Sequence, residues 1–367
     1  MKFSIQRDVF LAPLQFVASV VERRHTLPIL SNLLLTLESG NLTLVGSDQE
    51  VELTAIVADV DVISDGKITV PARKLIDICR SLRSEAMLEC ELVGTHLQFK
   101  SGRYRSQLGT LPAEDFPCIA IDSTSTTVTI PSVVLGDLLY KTSFAMAQQD
   151  VRYFFNGLLM QVSNKRIVAV ATNGQRLATT SIELPVEVEA DCGYIVPRKG
   201  IVELQKAIKV DDSEISIIFT NNHLRVVTRT GTVTTKLIDA TYPEFEAAIP
   251  RDNRNIMLVD RLDLKEALTR TAILSNETYR NIRLVMTNNN LQLQANNPNQ
   301  EEAEENLTVD YQGDDLDIGF NVEYLIDALS VMKGDRISMA FADAGSAVLL
   351  TDPDDGDSRY VVSPMML

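Results

Sequence analysis

The stretch VPRKGIVELQKAI, Val196 to Ile208, decides the fold because it has an echo on either side. VPARKLIDICRSL (Val70 to Leu82) precedes it and NVEYLIDALSVM (Asn321 to Met332) follows. Apolar residues fall at Leu75, Ile78, Cys79 and Leu82, then at Ile201, Leu204 and Ile208, then at Leu325, Ala328, Leu329 and Met332. Steps of three, four and seven put each set on one face of a helix, and that face must be buried. Leu75, Ile201 and Leu325 stand 126 and 124 residues apart, a period too long for a solenoid repeat and right for a whole domain. The chain is expected to hold three copies of one domain, at 1–122, 128–250 and 254–367.

Each copy is expected to open with a helix of its own. The stripes are Leu14, Val17, Ala18 and Val21 in the first, Leu135, Leu138 and Leu139 in the second, and Leu264, Ala267, Leu268 and Thr271 in the third. Pro13 and Pro131 are expected in or just before a first turn, where a missing N–H costs least. Strands follow, broken by polar turns (SGN, SNK, TNNN) and then by small polar clusters (GSDQ, TNGQ, NNPN), the order that hairpin chemistry predicts. After the organising helix comes another set of strands. LPAEDFP (Leu111 to Pro117) and YPEFEAAIP (Tyr242 to Pro250) read as segments that cross to the next domain. Two helices against roughly eight strands per copy give an α+β domain with antiparallel sheets outside and helices packed on one side.

Bulk composition bounds the function. With 367 residues and 45% hydrophobic content there is ample material for large cores, and no apolar run of membrane-spanning length occurs. A soluble, cytoplasmic chain is expected. Cys79, Cys90, Cys118 and Cys192 form no CxxC pair, so free buried thiols in a reducing compartment are expected. The net charge of −16 argues against a surface coated for nonspecific adhesion to nucleic acid. A local basic face survives that balance, because salt screens charge beyond about 8–10 Å. Arg23, Arg24, Arg73, Lys74, Arg80, Arg83, Lys141, Arg152, Arg198, Lys199, Lys206 and Lys209 all fall on or beside the helices, and predict that the helix side is basic.

Chemistry-bearing patterns are missing. His25, His96 and His223 are scattered, and there is no P-loop, GxGxxG or GxSxG. Asp352, Asp354, Asp355 and Asp357 look like part of a calcium loop but lack the bidentate Glu, so an acidic hairpin tip is expected. No catalytic residue, metal or cofactor is expected. The apolar ending Tyr360 to Leu367 reads either as a last edge strand or as an adaptable binding surface. Arg103 and Arg105 in the first copy oppose the run Glu301, Glu302, Glu304 and Glu305 in the third, which suits a head-to-tail contact that closes a ring or grows a filament.

MKFSIQRD, TLPILSNLLL, VPARKLIDICRSL, SGRYRSQLGTLPAEDFP, QDVRYFFNG, ATNGQRLA, VPRKGIVEL, ANNPNQEEAEE, IGFNVEYLIDAL and YVVSPMML, in that order, carry a resemblance over the whole length. The chain resembles the bacterial sliding clamp family, the beta subunit of DNA polymerase III. The resemblance implies a head-to-tail homodimeric ring of six domains that encircles duplex DNA and has no catalytic activity. Its implied partners are DNA polymerase III alpha and other polymerases, a clamp loader, and mismatch-repair and other proteins with clamp-binding peptides. Positions implied to face DNA are Arg24, Arg73, Gln149, Tyr153, Arg198 and Lys199. The implied peptide groove comprises Phe155, Thr172, Gly174, Gln175, Arg176, Leu177, Pro243, Ala248, Val361, Val362, Pro364, Met365, Met366 and Leu367. At the implied dimer contact stand Lys74, Arg103, Arg105, Leu108, Ile273, Leu274, Glu301, Glu302, Glu304 and Glu305. Ser106 departs from the family, where a large aromatic is common, and Gln175, Ala247 and Met366 make the groove less basic. Two other readings are a metal-dependent hydrolase using the Asp352 to Asp357 acids, and a scaffold that binds peptides but not DNA.

Overall fold

A computed structural model describes residues 1–22, 27–58, 60–120, 125–185, 187, 191–208 and 211–366. The first copy runs β1 (Lys2–Gln6), α1 (Arg7–Ala18), β2 (Asn32–Glu38), β3 (Asn41–Ser47), β4 (Val51–Val57), β5 (Asp61–Ser64), β6 (Gly66–Pro71), α2 (Ala72–Ser81), β7 (Met87–Val93), β8 (His96–Ser101) and β9 (Tyr104–Gly109). The second runs β10 (Thr126–Pro131), α3 (Ser132–Thr142), β11 (Gly157–Ser163), β12 (Arg166–Thr172), β13 (Arg176–Glu183), β14 (Asp191–Pro197), α4 (Arg198–Ala207), β15 (Glu214–Phe219), β16 (His223–Val227) and β17 (Thr232–Lys236). The third runs β18 (Asn255–Asp260), α5 (Arg261–Ala272), β19 (Asn281–Thr287), β20 (Asn290–Asn296), β21 (Glu302–Thr308), β22 (Asp310–Tyr311), β23 (Leu316–Asn321), α6 (Val322–Val331), β24 (Arg336–Phe341), β25 (Val348–Asp352) and β26 (Asp355–Val362). The order α, strands, α, strands recurs three times, but each copy opens with a strand, β1, β10 or β18, and not with its helix as the sequence reading expected.

The compact units do not follow the repeats. One comprises Met1–Gly136 with Lys199–Leu237, the other Asp137–Arg198 with Ile238–Leu367. Strand pairing between copies explains this. In the first unit β4 pairs with β17, which makes one sheet in the order β10-β15-β16-β17-β4-β3-β2-β6. In the second unit β13 pairs with β26, giving β14-β11-β12-β13-β26-β25-β24-β18-β22. A smaller sheet completes each unit, β5-β1-β7-β8-β9 in the first and β21-β20-β19-β23 in the second.

Hairpins form where the sequence placed them. Ser39 and Gly40 (φ 53° and 84°), Asn164 (φ 35°) and Asn289 (φ 55°) supply the left-handed conformations that short β-turns demand. Within the first unit α1 packs on α2 and on β3 and β4, and within the second α5 packs on α6. Gly46 permits the first contact, since a Cβ there would lie 2.1 Å from the Val17 carbonyl oxygen. Leu75, Cys79, Ile201, Leu204, Leu325, Ala328 and Leu329 are buried as the stripes required, while Ile78 and Leu82 are only half-buried.

Four expectations need correction. Helix α1 starts at Arg7, so Pro13 lies inside it and removes one backbone bond there. Its buried face is Phe10, Leu14 and Val17, with Ala18 half-buried and Val21 beyond the helix end. Cys79 and Cys90 are buried free thiols, and burial pushes Cys79 up to about 12, but Cys118 and Cys192 are exposed. Finally β26 is an interior strand, not an edge, because β13 covers its outer side. Tyr360, Val361 and Val362 are buried by that pairing.

The acidic hairpin forms, and its acids are engaged by the protein. Asp352 is buried and accepts the Gly334 N–H at 2.7 Å, Asp355 binds Lys141 at 2.5 Å, and Asp357 binds Arg166 at 2.9 Å. Lys141 also binds Asp137, which Lys333 holds in turn. Burial raises the pKa of Asp137 and Asp355, but hydrogen bonds from these lysines outweigh it and hold both below the ordinary 3.8. Depressed carboxyl pKa values contribute stability that is complete above the ordinary value and is lost as pH falls through the folded one. Thermal melts should therefore show the midpoint dropping below about pH 4, and Lys141→Met should flatten part of that drop. An unchanged acid limb in the variant would sink this assignment.

Candidate functional site

A short turn joins β12 to β13 in the second unit and sets the groove candidates in place. The Asn173 side chain accepts the N–H groups of Gln175 and Arg176 at 3.0 and 2.9 Å. The Thr172 hydroxyl accepts the Gly174 N–H at 3.0 Å and donates to the Arg176 carbonyl at 2.6 Å. Gly174 has φ +90°, and a Cβ there would crowd the Arg152 guanidinium at 3.1 Å. Strand pairing then sets Arg176 opposite Val362 and Leu177 opposite Val361, and the Ser363 N–H donates to the Gln175 carbonyl at 2.8 Å.

Leu177 and Val361 belong to one apolar cluster with Leu159, Val170, Ile195 and Ile249, flanked by half-buried Phe154, Tyr242 and Phe245. Phe155 joins through its ring, 6.1 Å from that of Tyr242 and 4.6 Å from that of Phe154. Arg152 lies over the Phe155 ring at 4.6 Å. Asp150 fixes that guanidinium with contacts of 3.0 and 2.9 Å, and hydrogen bonding to Arg152 pulls the Asp150 pKa down to about 2.

Not every candidate points into this groove. Arg176 is turned inward: it binds Asp327 at 2.6 Å, donates to the Phe144 carbonyl at 2.5 Å and lies 4.5 Å over the Tyr324 ring. With its side chain only 12% exposed, it ties β13 to α6. Pro243 and Ala248 are exposed, and Pro243 borders a depression beside Tyr242. Met365 donates its N–H to the Gly319 carbonyl at 2.8 Å, and with Met366 borders a different depression beside Asn276 and Tyr279. Leu367 lies outside the described residues.

Sequence reading missed Tyr242, Phe245 and Ile249, because YPEFEAAIP read as a crossing segment. The segment instead packs on the sheet, with Phe245–Ala248 in a 3-10 turn. Its apolar residues, spaced by three and four, were the available signal. Asn173, Tyr324 and Asp327 were missed as well.

Of the DNA-facing candidates, Arg73 and Lys199 border one depression in the first unit, together with Arg80, Glu22 and Asp77. Lys199 binds Glu22 at 2.5 Å and also Asp48. Burial lowers its pKa, but those hydrogen bonds prevail and hold it above the ordinary value. Charge around this depression is mixed, where the sequence predicted a basic helix side. In the second unit Arg198 donates to the Met146 carbonyl at 3.4 Å, and Gln149 (φ 56°) and Tyr153 are exposed on one loop. Asp150 braces that loop by accepting from the Arg152 N–H at 2.8 Å and donating its own N–H to Asn156 at 2.9 Å. Arg23, Arg24 and Lys209 lie outside the described residues.

The contact candidates occupy open sheet edges. In the first unit β9 is an edge strand with Arg105 exposed, Arg103 exposed in the turn before it, and Leu108 buried. Lys74 is exposed on α2, and the Ser106 hydroxyl is buried without a hydrogen-bond partner. In the second unit β21 is an edge strand whose alternation splits the acidic run. Glu302 and Glu304 face outward, while Glu305 binds Arg270 at 2.6 Å. Glu301 accepts from the Asn297 amide at 2.6 Å. Ile273 is 76% exposed and Leu274 half-buried.

Among the described residues no group of three or more His, Cys, Asp or Glu is placed to hold a metal ion. No described helix is long and apolar enough to cross a membrane. Repeated α+β domains with an apolar groove and open, charged sheet edges define a docking protein. Family models of the DNA polymerase III beta subunit match the chain in three parts, the N-terminal domain over 1–120, the central domain over 129–244 and the C-terminal domain over 246–366. The beta sliding clamp of Pseudomonas putida is 47% identical over 367 residues and that of Escherichia coli K12 is 40% identical, each covering 100% of both chains. The solved Pseudomonas aeruginosa DnaN sliding clamp, DNA polymerase III subunit beta, bound to griselimycin, matches with a TM-score of 0.96 at 46% identity. Caulobacter crescentus pol III beta matches at 0.95 and 33%, and both structures cover 100% of each chain. The chain belongs to the DNA polymerase III beta subunit family, the beta sliding clamps, whose members are non-catalytic.

The Arg176 tie carries a prediction. Arg176→Met keeps the stem but leaves Asp327 and the Phe144 carbonyl without their donor, and should cost about 2 kcal/mol or more in urea unfolding. A loss below about 0.5 kcal/mol would show that the guanidinium does not hold β13 to α6.

Proposed function

We propose that the chain forms a head-to-tail homodimeric ring that encircles duplex DNA and tethers DNA polymerase III alpha and other polymerases through the groove. The observation that carries this reading is the pair of open edges, β9 with Arg103 and Arg105 and β21 with Glu302 and Glu304. An edge strand exposes unpaired N–H and C=O groups, and opposite charges on the two edges favour pairing between copies over pairing of like edges. Two such contacts related by twofold symmetry close a ring of six domains, with bounds at 1–122, 128–250 and 254–367.

Within such a ring Arg24, Arg73, Gln149, Tyr153, Arg198 and Lys199 would meet phosphates, contacts that fix position without reading sequence. Sliding follows, because no register is preferred. The groove from Phe155 and Leu177 to Val361 would take the apolar anchors of a short extended peptide from polymerases, a clamp loader or mismatch-repair proteins. A cytoplasmic, nucleoid-associated location fits that work.

The dimer contact is tested by sedimentation. Wild-type protein should sediment at twice the chain mass. Ile273→Asp should sediment as a monomer, and primer extension by polymerase III alpha with its loader should then yield only the short products seen without the clamp. Ser106→Phe, which replaces an orphaned hydroxyl by a large apolar group, should tighten the dimer by about tenfold. Monomeric wild-type protein at all concentrations would contradict the ring.

A further inference from the structure

The groove has a second side. The segment Ala240 to Ile249 crosses the sheet as a strap, and its apolar residues Tyr242, Phe245 and Ile249 sit on the cluster that contains Leu177 and Val361. The same segment borders a depression of about 420 Å³ floored by Leu159 and Ile195, with Gly193 at one side. Pro243, one of the proposed groove positions, borders it too, and Leu159 and Ile195 share one cluster with Leu177 and Val361, so the depression adjoins the proposed groove. Its size lies within the range, about 300–1,000 Å³, that receives a few side chains or a drug-sized molecule.

The charged residues that line this depression are both acidic. Glu244 and Glu246 form its lip and are exposed, and none of the residues lining it is Lys, Arg or His. The strap carries no basic residue between Ala240 and Ile249. Arg251 lies 3.7 Å from Glu246 with both side chains more than half exposed, a weak tie that a ligand can displace, while Arg166, held by Asp357, and Arg359 border the neighbouring depression on the other side of Phe245 and Glu246. Gly193 keeps the floor open, since a Cβ there would meet the Leu159 Cδ1 at 3.2 Å and begin to fill the space.

We infer that this depression is a specificity subsite that takes a large apolar residue flanked by a basic one, in the chain segment adjoining the apolar anchors of the same partner peptide. The inference rests on the groove reading above. An apolar side chain would cover Leu159 and Ile195 while a Lys or Arg reached the Glu244 and Glu246 carboxylates. Partners with Lys or Arg beside their anchors bind more tightly than partners with Asp or Glu there.

The test is fluorescence anisotropy with a labelled core peptide, Ser-Leu-Ser-Leu-Phe, and versions extended at either end by Lys-Leu or by Glu-Leu. With wild-type protein one Lys-Leu version should bind about tenfold tighter than the core, and the Glu-Leu version should gain nothing. Glu244→Lys with Glu246→Lys should reverse the preference, and Gly193→Gln should remove the gain while leaving core binding unchanged. Thermal melts of the variants should match the wild type, since all three positions are exposed. If the core binds but Lys-Leu and Glu-Leu extensions behave alike, or if the gain survives both variants, the subsite is overturned and the groove stands. If the core itself fails to bind, the groove reading fails and takes the subsite with it.

Discussion

The pairing of β13 with β26 is the constraint on which the rest of the second unit depends. It joins the second repeat to the end of the third in one backbone ladder and buries Leu177 and Val361 against each other's strands. It also brings the Thr172 to Leu177 turn beside Val361 and Val362, which the proposed groove requires. A strand held between two others is protected from water on both sides, which is why Tyr360 to Val362 can be apolar and buried. The pairing of β4 with β17 has the same role in the first unit. Each sheet still ends in strands paired on one side only, and among these β9 and β21 are the two that carry the opposed charges of Arg105 and of Glu302 and Glu304.

Charge is managed locally. Lys199 is held by Glu22 and Asp48, Lys141 by Asp137 and Asp355, and Arg152 by Asp150. These acids mute the positive field that the helix-borne cations would otherwise present. A strongly basic wall would grip phosphates and slow movement along DNA, and its hold would weaken steeply with salt. In the proposed ring, cations paired in this way would guide DNA without clamping it, and retention would come from closure.

Much of this was legible in the sequence. Three copies of the stripe around Leu75, Ile201 and Leu325 gave the repeat, and Ser39-Gly40, Asn164 and Asn289 marked the hairpins, because side-chain period and left-handed turns are local properties. The links β4 to β17 and β13 to β26 were not legible, since strand pairing between repeats leaves no periodic mark. Arg176 illustrates the limit at the site: its position in the groove loop followed from resemblance, but its turn toward Asp327 depends on a helix far along the chain. Lys199 failed in the opposite way, being basic in the sequence and paired with acids from two distant loops. The strap residues Tyr242, Phe245 and Ile249 were passed over because YPEFEAAIP, like LPAEDFP, read as a segment that crosses to the next domain.

The central claim is topological, so the most direct measurement is retention on DNA after loading. Labelled protein is loaded onto nicked circular plasmid, passed through a sizing column in high salt, and compared with the same plasmid linearised after loading. Encirclement predicts that the protein stays with circles through the salt and is lost from linear molecules by sliding off their ends. Equal loss from both forms, in proportion to salt, would mean ordinary electrostatic binding and would contradict the ring.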